Sequence, residues 1–386
     1  MRKFLIKDLF DIKKGRKEKE NNDVGVRYIQ IEDIRNDNNL KLCEEHEKNI
    51  LVNNNDLVIA WDGANAGTVG FNVSGALGST LGRLRLKESM DPNSVNTHYI
   101  GYYLKSKENY LKENTTGATI PHVSRNVLES IEVSLPSINI QNKIVEILNR
   151  LVETKLLRQQ QIEALSALKE SIFLDMFGDP NINANNYETK RIDELCISII
   201  GGGTPSKKNP EYYIGNIPWV TPKDMKREHI NYTTDYINEE AIANSSAKLV
   251  PKNSLLIVIR SGILKHTLPV AINTKDVTIN QDMKAFVIDE SQVTTDYLFY
   301  YFKAMERSLL SKVRSVTAHN LNFNELKKLE APIPDIHRQR EFSRKINNIN
   351  KSLEKINEQR INFELLYDSL IHKAFNGELF KEGMKV

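Results

Sequence analysis

The chain is written twice. Shifting the 386-residue sequence by 198 positions lays Tyr99, Tyr102 and Tyr103 on Tyr297, Tyr300 and Tyr301, then Lys105 on Lys303, Thr119 on Thr317, Asn126 on Asn324 and Leu128 on Leu326. The match continues through Glu132/Glu330, Pro136/Pro334, Gln141/Gln339, Ser171/Ser369 and Phe177/Phe375, with no gap from about 98 to 178. Upstream it is weaker: "NDLVIAWDG" faces "NSLLIVIRSG", "YIQIEDI" faces "IPWVTPKDM" at an offset of 191, and "FLIKDLFDI" faces "RIDELCISI" at 186. A duplication of this length fixes the architecture more firmly than any local propensity. Each half must fold the same way, as a variable globular part followed by a constant arm, and 386 residues suffice for two such cores.

The arms begin where "LPSINIQNKI" and its echo "IPDIHRQREF" place a proline and, five residues on, a glutamine. Pro136 and Pro334 end β-like runs, because the residue before proline avoids the α region and proline itself is tolerated only at a helix start. Beyond them the apolar spacing alternates 4 and 3. The second arm uses Phe342, Ile346, Ile349, Leu353, Ile356, Phe363, Tyr367, Leu370 and Ala374, interrupted by Arg360. The first uses Ile144, Leu148, Leu151, Ile162, Leu165, Ile172 and Met176, interrupted by Lys155, Arg158 and Lys169. This is a coiled-coil seam. A helix of about 38 residues, roughly 57 Å long, needs a partner, and the expected partner is the other arm, packed antiparallel.

The globular parts read as mixed α/β (α+β), with short strands in "NDLVIAWDG", "LLIVIRSG" and "MKAFVID" and amphipathic helices in "HYIGYYLKSKENYLKE" and "DYLFYYFKAMERSLLSK". The tyrosines of those helices are expected in the core. The boundaries follow as a globular domain over 1–136, a long helix over 137–178, a linker (from "GDPNINANNYE") and second globular domain over 179–334, and a long helix and tail over 335–386.

Enzyme chemistry finds little support. "GGGTPSKK" at 201 lacks the spacing of a phosphate loop, and Pro205 interrupts any helix that would follow it. "NPEY" at 209 resembles the N-P-P-Y of adenine methyltransferases, but without the second proline or a preceding cofactor-binding βα unit. The 8 histidines are scattered, with no metal-binding or triad spacing, so no catalytic or metal residue is assigned. Cys43 and Cys196 stand far apart with no ligand neighbours, which suggests neither zinc nor a disulfide and fits a reducing compartment. Charges interrupt every apolar run of the N-terminus, and no apolar stretch approaches 18 residues, so a cytoplasmic protein without membrane association is expected.

With 53 Lys+Arg against 50 Asp+Glu the net charge is only +3, so nucleic-acid binding must rest on local patches. Lys13, Lys14, Arg16 and Lys17 crowd one loop of the first half, and Thr204, Ser206, Lys207 and Lys208 the corresponding loop of the second. "TTGATIPHVSR" and "RSVTAHNLNF" are polar loops at equivalent places, carrying Thr119, His122 and Arg125 in one and Arg314, His319 and Asn320 in the other. Long cations can neutralise phosphates, and short polar groups can bond phosphates or base edges. Charge and loop position add Trp61, Asn65, Ser79 and Arg83 in the first half and Trp219, Thr221, Lys223, Arg260, Lys265 and Gln281 in the second as candidate DNA contacts.

The motifs "GGGTPSKKNPEYYIGNIPWVTPKDM", "TTGATIPHVSRNVLESIEVSLPSINIQNKIVEILNRL" and "SLIHKAFNGELF", in this order over essentially the whole chain, closely resemble the specificity subunit of type I restriction-modification systems. The resemblance implies two target-recognition domains reading the halves of a bipartite, asymmetric double-stranded DNA site, with the antiparallel helices setting their separation. It also implies no catalytic site or cofactor in this chain. Two methyltransferase subunits using S-adenosylmethionine and restriction/motor subunits using ATP and Mg would be its partners. The halves differ in length and in their basic loops, so they should read different sequences. A non-DNA coiled-coil scaffold would keep the arms but give no reason for paired basic loops, and a fused adenine methyltransferase would need a cofactor loop not found here.

Overall fold

The structure is a computed structural model that describes residues 2–21, 24–35, 40–117, 119–315 and 319–379. It divides into two compact units, the first of Met1–Gln159 with Glu358–Val386, the second of Gln160–Asn357. The cut passes through the middle of both arms, so each unit holds one globular part, the proximal half of its own arm and the distal half of the other.

In the first unit, Arg2–Leu5 pairs antiparallel with Glu132–Leu135, the strand that leads into the arm. A four-stranded antiparallel sheet runs in the order Phe10–Lys14, Leu81–Leu86, Leu57–Ala60, Val69–Gly70, and a second sheet contains the parallel pair Val26–Ile29 and Gly75–Leu77. The second unit repeats the plan. Thr189–Arg191 pairs with Glu330–Pro332, and a sheet runs Cys196–Gly201, Met283–Ile288, Leu255–Val258, Val270–Asn273, His229–Ile230. A second sheet joins Ile217–Val220 in parallel to Val277–Ile279. Leu57–Ala60 and Leu255–Val258 are buried throughout, as continuous apolar runs require when both faces of a strand are covered.

The repeated tyrosines do the same thing twice. Tyr99 and Tyr297 head the helices Thr97–Ser106 and Thr295–Ala304, and their phenols donate to the carbonyls of Ser134 (3.0 Å) and Pro332 (2.7 Å). One turn on, Tyr103 and Tyr301 donate to the carbonyls of Glu132 (2.7 Å) and Glu330 (3.0 Å). These side chains bury their rings in the core and tie the helix to the strand before the arm, as a phenol does when its hydroxyl finds a backbone acceptor.

The arms are single helices, Ile138–Phe177 and Ile336–Phe375. The repeated glutamine explains why both begin alike: Gln141 and Gln339 are fully buried. Each side-chain amide donates back to the carbonyl of its proline, at 2.9 Å for Pro136 and 2.8 Å for Pro334. Each also accepts, at 2.9 Å, from the backbone N–H of Asn96 or Thr294, the residue that caps the tyrosine helix. One side chain thus satisfies a terminal carbonyl and fixes the angle at which the arm leaves its domain.

Along the second arm every seam position from Phe342 to Ala374, Arg360 included, is buried or half-buried. The first arm departs at one point: Lys155 is exposed and Thr154 turns inward instead, leaving Leu156 and Leu157 more than half exposed. A lysine at a seam position gains by swinging its ammonium outward, where Lys155 meets Glu364 at 3.5 Å. Within the second unit, Lys169 reaches Asn350 while Phe173 packs against Phe342, so one helix number rises as the other falls and the segments run antiparallel.

Candidate nucleic-acid interface

In each unit the polar loops gather at one rim, where the strands Phe10–Lys14 and Leu57–Ala60, or Cys196–Gly201 and Leu255–Val258, run out. The backbone sets the two rims alike. Asp62 bridges to His122 in the first unit and Arg260 to Asn320 in the second, at positions 198 apart. Thr116 pairs with His122 in one loop, and Arg314–Ser315 with His319–Asn320 in the other. Close backbone approach requires glycine at the first strand's end. A Cβ on Gly15 would lie 2.2 Å from the Gly78 carbonyl oxygen, and one on Gly202 1.9 Å from that of Asn280. The glycines of "GGGTPSKK" therefore serve chain packing.

The side chains on these matched frames differ. In the first unit the Asp62 carboxylate meets the Lys14 ammonium at 2.5 Å and His122 Nδ1 at 2.6 Å. Lys14 and His122 are half exposed, whereas Asp62 is 17% exposed. Burial pushes the Asp62 carboxyl up, but hydrogen bonds and charge from Lys14 and His122 outweigh it and hold it below its usual range. The carboxylate orients two cationic or donor groups toward solvent. In the second unit Arg260 takes the place of Asp62, and its guanidinium donates to Asp282 at 2.6–2.7 Å. Asn280 donates to the other oxygen of the same carboxylate at 3.0 Å, and Thr204 is hydrogen-bonded to Gln281. Thr204, Arg260, Gln281 and Asn320 therefore share one patch, with Gln281, Arg260 and Asn320 exposed.

Other candidates lie nearby without joining these clusters. Lys13, Arg16, Lys17, Thr119, Ser206, Lys207, Lys208 and Lys265 are exposed, and Ser79 is half-buried. Arg125 pairs with Glu129 one turn along its own helix at 2.7 Å, and Asn65 accepts from Arg35 at 3.3 Å. Lys223 is exposed and paired with Asp235 at 2.6 Å. Arg314 and His319 are placed by their backbone strands, while their side chains lie outside the described residues, as does Thr317.

Four candidates are held by the fold. Arg83 is 7% exposed and donates to the Leu51 carbonyl at 2.7 Å; it sits mid-strand opposite Val58, where its side chain braces a neighbouring strand. Trp219 is 6% exposed, and its indole N–H supports the Gly203 carbonyl at 3.1 Å. Thr221 caps the turn that follows it, its hydroxyl 2.9 Å from Asp224. Trp61 is half-buried against Gly82, where a Cβ would meet its ring at 2.6 Å. Charge and aromaticity in a sequence do not reveal which way a strand residue faces. Asp62 and Asp282, which organise the two rims, escape the same reading because an acidic residue carries no signal for DNA by itself. The visible hint is the charge reversal between the equivalent positions 62 and 260.

Cys43 and Cys196 are free thiols, and burial pushes the Cys196 thiol up to about 12, far from a reactive thiolate. Among the described residues no helix is long and apolar enough to cross a membrane.

A profile of the type I restriction modification DNA specificity domain matches residues 1–167 and 184–366. The specificity subunit of the Escherichia coli type I restriction enzyme EcoR124I/EcoR124II is 30% identical over 265 residues, covering 66% of this chain and 64% of that protein, just under two thirds of its length. The MjaVIII specificity subunit of Methanocaldococcus jannaschii is 23% identical over 381 residues, covering 91% of this chain and 85% of that protein. Among solved structures, the S subunit of a type I restriction-modification system from M. genitalium has the same fold, with a TM-score of 0.63 at 15% identity over 97% of this chain and 96% of that one. A chain from a study of type I R-M complex assembly and conformational transition has a TM-score of 0.58 at 16% identity, covering 98% of both chains.

Proposed function

The chain belongs to the type I restriction modification DNA specificity domain family, and from that premise we propose that each unit reads one half of a bipartite, asymmetric DNA sequence through its rim while the paired arms set the spacing between the halves. The observation that carries this reading is the pair of equivalent rims with unlike side chains: Lys14, Asp62 and His122 on one, Thr204, Arg260, Gln281 and Asn320 on the other. A single backbone plan with two different sets of donors and acceptors is what two readers of different base sequences require. Arg260, Gln281 and Asn320 can make edge-reading hydrogen bonds, whereas Lys13, Lys17, Lys207 and Lys208 anchor phosphates.

In this reading the chain has no catalytic residue and no cofactor of its own. It delivers two methyltransferase subunits, which carry S-adenosylmethionine, and restriction subunits, which use ATP and Mg, to the site. Adenine methylation requires the base to leave the stack, and that step belongs to the methyltransferase subunits. The deciding experiment is methylome sequencing of the host with and without the gene, followed by binding of the purified complex to the site so found. Replacing Lys207 and Lys208 with alanine should weaken binding to all sequences and lower the slope of log affinity against log salt by up to about 2, roughly one per lost phosphate contact. An unchanged slope would remove this loop from the interface.

A further inference from the structure

Lys169 lies on the seam of the first arm, in the second unit, with only 2% of its side chain exposed. A leucine there would pack without cost, whereas a buried ammonium is costly unless it is paired. It is paired twice. Its Nζ donates to Glu228 of the globular part and, at 3.2 Å, to Asn350 of the second arm, so three separate stretches of chain meet at one charge.

Glu228 belongs to the stretch 221–235, which is braced internally. The Asp224 carboxylate accepts from the backbone and hydroxyl of Thr221 (both 2.9 Å) and of Thr234 (2.9 and 2.8 Å), and Lys223 reaches Asp235. Arg227 stacks over Tyr232 at 3.7 Å. Val220, which leads into the stretch, accepts from the backbone N–H of Asn280, next to Gln281 of the rim, and Glu228 accepts from that of Ile272 in the sheet strand Val270–Asn273. The strand His229–Ile230 anchors the segment by pairing in parallel with Val270–Asn273, and Lys169 adds a second hold from the arm at the adjoining Glu228.

We propose that Lys169 is a positioning residue that, from the buried seam of the arm, holds Glu228 and with it the 221–235 segment against the second unit's rim, making the reading of one half-site depend on an arm side chain. The proposal rests on the reading of the rims as DNA interfaces. Tyr367, the counterpart of Lys169 198 residues on, can carry no such charge, so the dependence is confined to the second half-site.

The test uses the full chain with Lys169→Met, Lys169→Arg and Glu228→Gln, first by hydrogen exchange without DNA. Lys169→Met should speed amide exchange within 221–235 by about tenfold or more while leaving the sheet Leu255–Val258 protected. Lys169→Arg should restore the protection. On duplexes bearing the methylome-defined site, Lys169→Met should lose about tenfold in discrimination at the second half-site and none at the first, with an unchanged salt slope. A rise in exchange spread evenly over the second unit would show a role in stability alone and overturn the proposal. So would unchanged exchange in 221–235, or equal loss at both half-sites. Should Lys169→Met fail to fold, Glu228→Gln, at a side chain 32% exposed, carries the same expectations. If the wild-type chain discriminates at neither half-site the DNA reading falls, while the exchange result still decides whether Lys169 positions the segment.

Discussion

The two places where an arm meets its globular part share the glutamine and tyrosine hydrogen bonds, not the Lys169–Glu228 pair, and almost none of the packing. In the second unit Phe173, Phe177 and Phe342 interlock with Tyr297 and Tyr300, mostly edge to face, with ring centroids 5.0–6.2 Å apart. In the first unit Ile371 and Ile144 stand where Phe173 and Phe342 stand, and Phe375 alone meets Tyr99 and Tyr103, both at 5.2 Å. The paired arm segments of the first unit also leave a cavity of about 730 Å³ lined by Leu151, Val152, Leu366 and Tyr367, with Leu365 beside it 66% exposed. The glutamine and tyrosine bonds fix backbone geometry and must recur wherever an arm begins. Apolar filling has only to match in volume, so it diverges.

Breaking the packing should give the largest and most unequal effect. Phe173→Ala removes a ring that is 1% exposed from the aromatic cluster and should cost about 3–5 kcal/mol. Phe375→Ala, at a half-buried position, should cost less than half of that. Because two units need not unfold together, the measurement is urea unfolding followed by hydrogen exchange resolved by unit. Equal losses would mean that the aromatic cluster adds nothing to the second junction.

Breaking the shared bonds should give a smaller and more nearly equal effect. Gln141→Leu and Gln339→Leu each strand a buried carbonyl and a backbone N–H, at a cost of about 2–3 kcal/mol apiece, with Gln141 the larger because its amide also donates to the Ser94 carbonyl at 3.1 Å. A difference between them well above 1 kcal/mol would show that the two junctions are alike in sequence but not in mechanics.

Much of this was legible in advance for a physical reason. Duplication exposes what both copies need, so the arms, their seam, the prolines that open them and the inward tyrosines could be read from spacing alone. The seam failed at Lys155, because periodicity cannot say whether a long cation follows the stripe or swings off it. The buried Lys169 looked like an interruption of the seam, and its partner Glu228 is 59 residues away in sequence. At the rims, local charge and loop position point to Lys14, His122, Arg260 and Asn320 as candidates but give no sign of the carboxylates that orient Lys14, His122 and Arg260. Arg83 and Trp219 face inward, which their type and loop position do not reveal, because facing is a property of the sheet.

The smallest expected effects separate the two rims themselves. Asp62 is mostly covered and accepts from two charged or chargeable partners, so Asp62→Asn should cost about 1–2 kcal/mol at pH 7. Arg260, whose side chain is half exposed, makes a more open pair with Asp282, and Arg260→Ala should cost about 0–1 kcal/mol. The pH dependence sharpens the contrast. The Asp62 pKa is depressed in the folded state, so its contribution is fully present above the unfolded carboxylate value of about 3.9 and is lost as pH falls through the lower folded value. The stability gap between wild type and Asp62→Asn should therefore narrow below about pH 5 and close below about 4. Urea midpoints of the first unit across that range measure it. A gap that widened between about pH 5 and pH 3 would mean that the carboxylate is destabilised in its place, and that Lys14 and His122 are held at the rim by something other than Asp62.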